Sequence, residues 1–253
     1  MKRRRCFAMG SIVCLCVVSL LFACSPTPVP LPTSSPTETG EYSLVSQPFH
    51  EKGENPPYTI IAVIPYLQDE TQVPLEPFNQ LVEALVRENI DTFRKNVLEN
   101  APNPPISVGS SYDLHYDQLA PVGNILSLKF TISSYFDGAA HPGEQILTFN
   151  YDISKGQRLE LEQLFKPGEA YLNQIAAYCK SQLSLRDIGY TESGADATSD
   201  NYRNWNLTAD GLLITFEMYQ VSAGAAGSQS VLVPYPVLKG IIDTQGLLVG
   251  FLK

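Results

Sequence analysis

ILSLKFTISSYFDGAAHPGEQILTFNYDI, residues 125–153, alternates apolar and polar side chains on either flank of a glycine-containing centre. Leu126, Leu128, Phe130 and Ile132 interleave with Ser127, Lys129, Thr131 and Ser133, and the return run places Leu147, Phe149, Tyr151 and Ile153 on one face. A period of two belongs to a strand, so the segments predict antiparallel neighbours with one side on a core and the other facing water.

The loop joining them holds Asp137 and His141, and an acid four residues from an imidazole can be a general acid/base pair, a metal-ligand pair or part of a turn. Gly138, Ala139, Ala140, Pro142 and Gly143 serve backbone shape first. His141, preceding a proline, is biased to an extended conformation from which its ring can bond a loop carbonyl. The expectation is a recognition loop formed by Asp137, Gly138, His141 and Pro142, with no catalytic residue in it.

Upstream, YTIIAVIPYL begins a strand near Tyr58. EPFNQLVEALVRENIDTFRKNVLEN follows, with Pro77 suited to a first helical turn and Phe78, Leu81, Val82, Leu85, Phe93 and Val97 at helical spacing. APNPP, residues 101–105, stops that helix. Downstream, Ser154-Lys155-Gly156-Gln157 supplies a turn, and LELEQLF leads into a second helix expected from about Glu169 to Leu185. A polar excursion, GYTESGADATSDNYRNW, precedes two strands around Asp210-Gly211, a dipeptide suited to the positive φ angles of a two-residue hairpin. SVLVPYPVLKGII adds a strand and a short helical segment. The order predicts an α+β fold of antiparallel sheets each packed with a helix, in two related strand-helix-strand halves, 58–153 and 154–253.

The amino-terminal region has a different composition. A basic head, Lys2 to Arg5, precedes an apolar run from Ile12 to Ala23, shorter than the roughly 20 residues a bilayer core needs. Leu21-Phe22-Ala23-Cys24 looks like a lipobox, so residues 1–23 are expected to be a signal peptide and Cys24 a lipidation site. Phe22 is bulkier than the residue usual there. SPTPVPLPTSSPTETGE, residues 25–41, cannot build a core, and residues 24–57 are expected to form the anchor and tether. The expected location is the extracytoplasmic side of a membrane, held by lipid.

The net charge of −9 becomes −13 once Lys2, Arg3, Arg4 and Arg5 leave with an acid-free leader. That sign argues against nucleic acid as a partner. Cys6, Cys14 and Cys16 leave too, so Cys179 remains without a thiol to pair with, on the apolar stripe of the second helix with Leu172, Ile175, Ala176 and Leu183. HExxH, GxSxG, phosphate-loop, GxGxxG and CxxC patterns are all missing, and the three histidines, His50, His115 and His141, lie on different segments. No metal site and no cofactor are expected. Tyr190, Tyr202 and Trp205 form a candidate aromatic contact surface, and Asn206-Leu207-Thr208 is set aside as a glycosylation acceptor because its residues alternate as a strand.

At FNYDISKGQRLELEQLF the residue order takes a family form: a strand ending Phe-Asn-Tyr-Asp, a Lys-Gly turn, then Leu-x-Leu-x-x-Leu-Phe. With FDGAAHPG upstream and GLLITFEMYQVSAGAAGSQSVLVPYPVL downstream, the chain resembles, from about Tyr58 to Leu248, the RsiV-like extracytoplasmic domain. That domain occurs in lysozyme-sensing anti-sigma factors and beside the catalytic domain of some peptidoglycan deacetylases. Only a short basic head precedes the apolar run, so no sigma-binding segment is expected, and no deacetylase domain is recognised. The resemblance implies a non-catalytic envelope module that binds a protein, lysozyme among the candidates, or a peptidoglycan-related ligand. The rival expectation is a wall-glycan-modifying enzyme that uses the Asp137/His141 loop.

Overall fold

The computed structural model describes residues 42–122, 124–243 and 245–248. The leader, Cys24 and tether residues 25–41 lie outside them. The elements are β1 (Tyr42–Glu54), β2 (Pro57–Asp69), α1 (Glu76–Asn100), β3 (Ser110–Val122), β4 (Ile125–Tyr135), β5 (Gly143–Asp152), β6 (Gln157–Arg158), α2 (Tyr171–Leu183), β7 (Trp205–Leu207), β8 (Gly211–Phe216), β9 (Gln229–Pro234) and α3 (Tyr235–Leu238). Strands β1 to β6 form a six-stranded sheet in sequence order, and β7-β8-β9 form a second sheet. The fold is α+β, as expected. Among the described residues no helix is long and apolar enough to cross a membrane.

The hairpin predicted from residues 125–153 forms as β4 and β5, with Leu128 opposite Phe149. Its apolar face meets α1, whose buried stripe is Phe78, Asn79, Val82, Val86, Ile90, Phe93 and Val97. Leu81 of the expected stripe is instead exposed. Phe78 packs edge-on to Phe149 and Tyr151, with centroids 5.7 and 5.2 Å away. Each large apolar side chain taken fully out of water there contributes roughly 1.5–3 kcal/mol. No side chain caps the start of α1. Asn79 fixes the helix to β2 instead, accepting from the Leu67 N–H at 2.8 Å and donating to the Leu67 carbonyl at 2.9 Å.

Three expectations change. Residues 42–54, expected in the tether, form β1 and pair along β2 from Tyr42↔Asp69 to Glu54↔Pro57. Pro48 and the charged run His50-Glu51-Lys52 hide a strand pattern there, but such residues suit the outer strand of a sheet. Glu51 is further held by Arg94 of α1, whose Nε and Nη2 each donate at 2.7 Å to its carboxylate. Secondly, one pair inside the first half is parallel: β2 and β3, joined through α1, run Tyr58↔Ser110 to Ala62↔Leu114.

The third change is the face of β4 and β5 expected to meet water, part of which is buried. Ser127, Thr148 and Asn150 are 0%, 6% and 2% exposed. They bond the outer edge of β7 with side chains in place of a strand ladder. Asn150 Nδ2 donates to the Trp205 carbonyl at 2.8 Å, Trp205 N–H to Thr148 Oγ1 at 3.3 Å, and Leu207 N–H to Ser127 Oγ at 2.9 Å. Ser127 Oγ in turn donates to Asn150 Oδ1 at 2.6 Å. Asn206, 0% exposed, donates to Ser127 Oγ and the Leu128 carbonyl, which places the Asn-Leu-Thr triplet out of reach of a glycan.

Helix α2, within two residues of its expected ends, packs against the second sheet in a separate core with Leu159, Leu164, Phe216 and Val233. Gly211 departs from its expected role. Its φ is not in the left-handed region, and a Cβ there would lie 2.3 Å from the Val233 carbonyl oxygen. Close approach of β9, not a turn, is why this position is glycine. The turn itself is organised by Thr208, whose Oγ1 accepts from the Asp210 and Gly211 N–H groups at 3.3 and 3.1 Å.

Candidate functional site

A cleft of about 420 Å³ opens where the two sheets meet. Its floor is Thr148 and Asn150 on β5; one wall runs from Arg158 to Glu162 and on to Tyr171 and Leu172 at the start of α2; the other runs from Ser199 to Trp205. Local chemistry builds each wall. Gln163 and Glu160 exchange capping bonds around the short 3-10 turn Leu161–Leu164, whose leucines are buried. Phe165 then stacks on Tyr171 with centroids 4.7 Å apart and planes 8° from parallel. On the opposite wall Tyr202 donates its hydroxyl to the Ala195 carbonyl at 2.9 Å and meets Phe216 edge-on. Burial pushes the Tyr202 phenol far above its usual range, and burial followed by the nearby Glu162 carboxylate raises that of Tyr171. Both stay neutral at physiological pH.

Charge sits on the rim. The Arg158 guanidinium lies over the Phe149 ring, 5.5 Å from its centroid, and reaches the Thr148 carbonyl at 3.5 Å. Arg203 donates to the Asp200 carbonyl at 2.8 Å and pairs with Glu217. The surface is amphipathic, suited to holding a polar ligand against rings and fixed charges.

The expected aromatic surface is only partly reproduced. Tyr202 and Trp205 line the cleft but are 1% and 5% exposed, so they are walls and not a platform. Tyr190 packs against the second core outside the lining. Arg158, Glu162, Tyr171, Asp200 and Arg203 carry no motif, and sequence reasoning did not single them out. The strip 149–165 that carried the family resemblance held the first two of them.

The loop at residues 136–142 lies elsewhere. It closes the β4-β5 hairpin beside Ser134↔Gly143, five residues before Thr148, or roughly 17 Å along the strand. Asp137 and His141 do not form a pair. The Asp137 carboxylate accepts the Ile106 and Ser107 N–H groups at 2.8 and 2.9 Å and the Ser107 hydroxyl at 2.5 Å. His141 is exposed, its Nδ1 2.8 Å from the Pro142 carbonyl. Gly138 has φ +89, a conformation natural to glycine, and the Ile106 side chain packs against it. Beneath the loop a cavity of about 200 Å³ is lined by Asn96, Val97, Asn100, Ala101, Ser110, Phe136 and Asp137.

The Ser107 hydroxyl above all, helped by the Ile106, Ser107 and Gly138 N–H groups, holds the Asp137 carboxyl below its usual range against the opposing effect of burial. A group whose folded value is lowered contributes order above its unfolded value and loses it as pH falls through the folded one. The amide resonances of Ile106 and Ser107 are therefore expected to hold constant from neutral pH down to about 4 and to move together below it. An NMR titration checks this; movement between pH 5 and 7 would mean that a different group holds the loop.

Cys179 is a free thiol, 0% exposed in the second core, and burial pushes its pKa up to about 12. Thiol reagents at neutral pH are expected to leave it unmodified until denaturant is added, and rapid labelling of Cys179 itself in the native chain, located by mass spectrometry, would contradict that packing. Among the described residues no three His, Cys, Asp or Glu side chains gather into a group that could hold a metal ion.

Several known proteins share part of this chain. Residues 162–236, which include the Ser199–Trp205 wall and, of the other wall, Glu162, Tyr171 and Leu172, match a family model described as "Protein of unknown function (DUF3298)". The peptidoglycan-N-acetylmuramic acid deacetylase PdaC of Bacillus subtilis is 29% identical over 113 residues, 43% of this chain. The chain spans only 24% of that protein's length. An esterase of Mycobacterium tuberculosis is 24% identical over 176 residues, 67% of this chain and 75% of its own. Among solved structures, a DUF3298 family protein from Pseudomonas aeruginosa superposes with a TM-score of 0.56 at 16% identity, covering 80% of this chain and 94% of its own. One from Bacteroides fragilis gives 0.55 at 16% identity, covering 83% and 96%. Residues 162–236 are therefore similar to the DUF3298 family, the chain is similar in sequence to part of a peptidoglycan deacetylase, and its fold is one that two DUF3298 crystal structures share.

Proposed function

We propose that this chain is a cell-envelope lipoprotein whose extracytoplasmic domain binds a peptidoglycan-related ligand in the cleft between its sheets, without catalysing a reaction. The observation that carries this is the position of the amphipathic cleft: the wall from Ser199 to Trp205 and, on the other side, Glu162, Tyr171 and Leu172 fall in the segment that matches the DUF3298 family model, and a relative of the chain is named a deacetylase of peptidoglycan. The basic head, apolar run and lipobox-like Leu-Phe-Ala-Cys support delivery across a membrane with Cys24 as the lipid-bearing residue.

Binding without turnover is favoured by how the reactive groups are occupied. Asp137 is committed to the 106–107 backbone, His141 bonds a neighbouring carbonyl and Cys179 is buried. A nucleophile or general base needs a partner and room for substrate. The names of the two relatives, a deacetylase and an esterase, support the rival, a wall-modifying enzyme acting through Asp137 and His141. The resemblance to the RsiV-like domain adds lysozyme as a protein ligand, and a net charge of −13 after leader removal suits a cationic partner.

The full chain in detergent, titrated with soluble wall fragments and separately with lysozyme, tests these readings. Saturable binding of fragments without turnover is the expected result. Turnover of a fragment that His141→Ala abolishes, with the melting temperature unchanged, would establish the enzyme in its place. Saturation by lysozyme alone, persisting at moderate salt, would move the ligand from wall to protein.

A further inference from the structure

The cleft's charges are not equally occupied. Arg203 is neutralised by Glu217, and Glu160 spends its carboxylate on the 3-10 turn. Among the described residues Arg158 is within ion-pair distance of no carboxylate, and its contacts there are the Phe149 ring and one long bond to a carbonyl. Glu162 and Asp200, on opposite walls, have side-chain oxygens with no hydrogen bond or ion pair among the described residues. The cleft therefore presents one uncommitted cation and two uncommitted anions around about 420 Å³, a space the size of a few amino-acid residues.

That pattern selects by chemistry. A neutral sugar would cover three charged groups and leave them without a counter-charge, which is unfavourable. A purely anionic ligand would face Glu162 and Asp200, and a purely cationic one would face Arg158. A zwitterion matches all three at once. The Arg158 guanidinium, 5.5 Å from the Phe149 ring centroid and part of the cleft lining, keeps N–H groups free to grip a carboxylate with paired bonds. The Tyr171 ring, backed by the stacked and buried Phe165, and Leu172 give the cleft an apolar strip suited to an aliphatic arm.

We infer that the ligand group held in this cleft is zwitterionic and amino-acid-like, of the kind presented by the free end of a wall stem peptide, with its carboxylate on Arg158 and its ammonium between Glu162 and Asp200. This rests on the cleft being the site of a peptidoglycan-related ligand and names which part of that ligand it takes.

The probe is the free tripeptide alanyl-γ-glutamyl-diaminopimelate, measured by calorimetry on the full chain in detergent beside its carboxyl-amidated form, its N-acetylated form and a neutral N-acetylglucosamine oligomer. The tripeptide is expected to bind at least about fivefold more tightly than either blocked form. Arg158→Gln should weaken the free tripeptide by about that factor and leave the amidated form unchanged. Glu162→Gln combined with Asp200→Asn should do the same for the N-acetylated comparison. All three side chains are exposed, so the variants are expected to melt with the parent chain, and a thermal melt of each verifies it. Equal binding of blocked and free peptides, or an unchanged affinity in Arg158→Gln, overturns the inference. Binding of the sugar oligomer alone also overturns it but leaves the wall-ligand function standing; binding of none of these or of any wall fragment removes both.

Discussion

Asn150→Ala is expected to destabilise the chain by about 3 kcal/mol, lowering the melting temperature by roughly 10 °C, although the residue is polar and belongs to neither hydrophobic core. Asn150 is 2% exposed, accepts the Ser127 hydroxyl at 2.6 Å and donates to the Trp205 carbonyl at 2.8 Å. Truncation strands two buried polar groups at once, each at a cost of roughly 1–3 kcal/mol. Ser133→Ala is the control: it lies on the same face of β4, is exposed, and should change nothing measurable. Urea denaturation of both variants measures the difference. If Asn150→Ala loses less than about 1 kcal/mol, the two sheets do not meet through these bonds.

Gly211 separates two explanations of one glycine. If it served a hairpin turn with positive φ, Asn would be tolerated nearly as well as Gly, and Ala less so. The structure makes the opposite demand: any Cβ meets the Val233 carbonyl at 2.3 Å and the Pro234 Cα at 2.9 Å, both of them backbone atoms that cannot swing aside. Gly211→Ala and Gly211→Asn should therefore be about equally harmful, by roughly 3 kcal/mol, since β9 must move away from β8 to admit either. Comparing both variants by thermal melting decides it, and an Asn variant as stable as the parent would restore the turn explanation.

The contrast shows what the sequence could and could not convey. Helix α1 and the β4-β5 hairpin were legible because their apolar side chains follow one period over ten or more residues and face one core. Strand β1 was not, because an outer strand buries few side chains: of Tyr42–Glu54 only Leu44 falls in the buried class. The polar seam was illegible for a different reason. Ser127, Thr148 and Asn150 alternate with apolar neighbours as water-facing residues do, and nothing local distinguishes a hydroxyl turned to solvent from one turned to the edge of another sheet. The cleft shares that difficulty, since Arg158 and Asp200 lie forty-two residues apart and meet only once β7 has docked. The 136–142 loop was legible as a loop from its glycines, while the role of Asp137 depended on a segment thirty residues upstream.

The way β7 is attached has a mechanical consequence. Oily contacts let two layers glide past each other at little cost, whereas directional bonds to Ser127, Thr148 and Asn150 lock the smaller layer at a single position and tilt. The gap between the layers then has one gauge, preset by those bonds, and the ligand proposed for it would meet a rigid jaw and not one that closes.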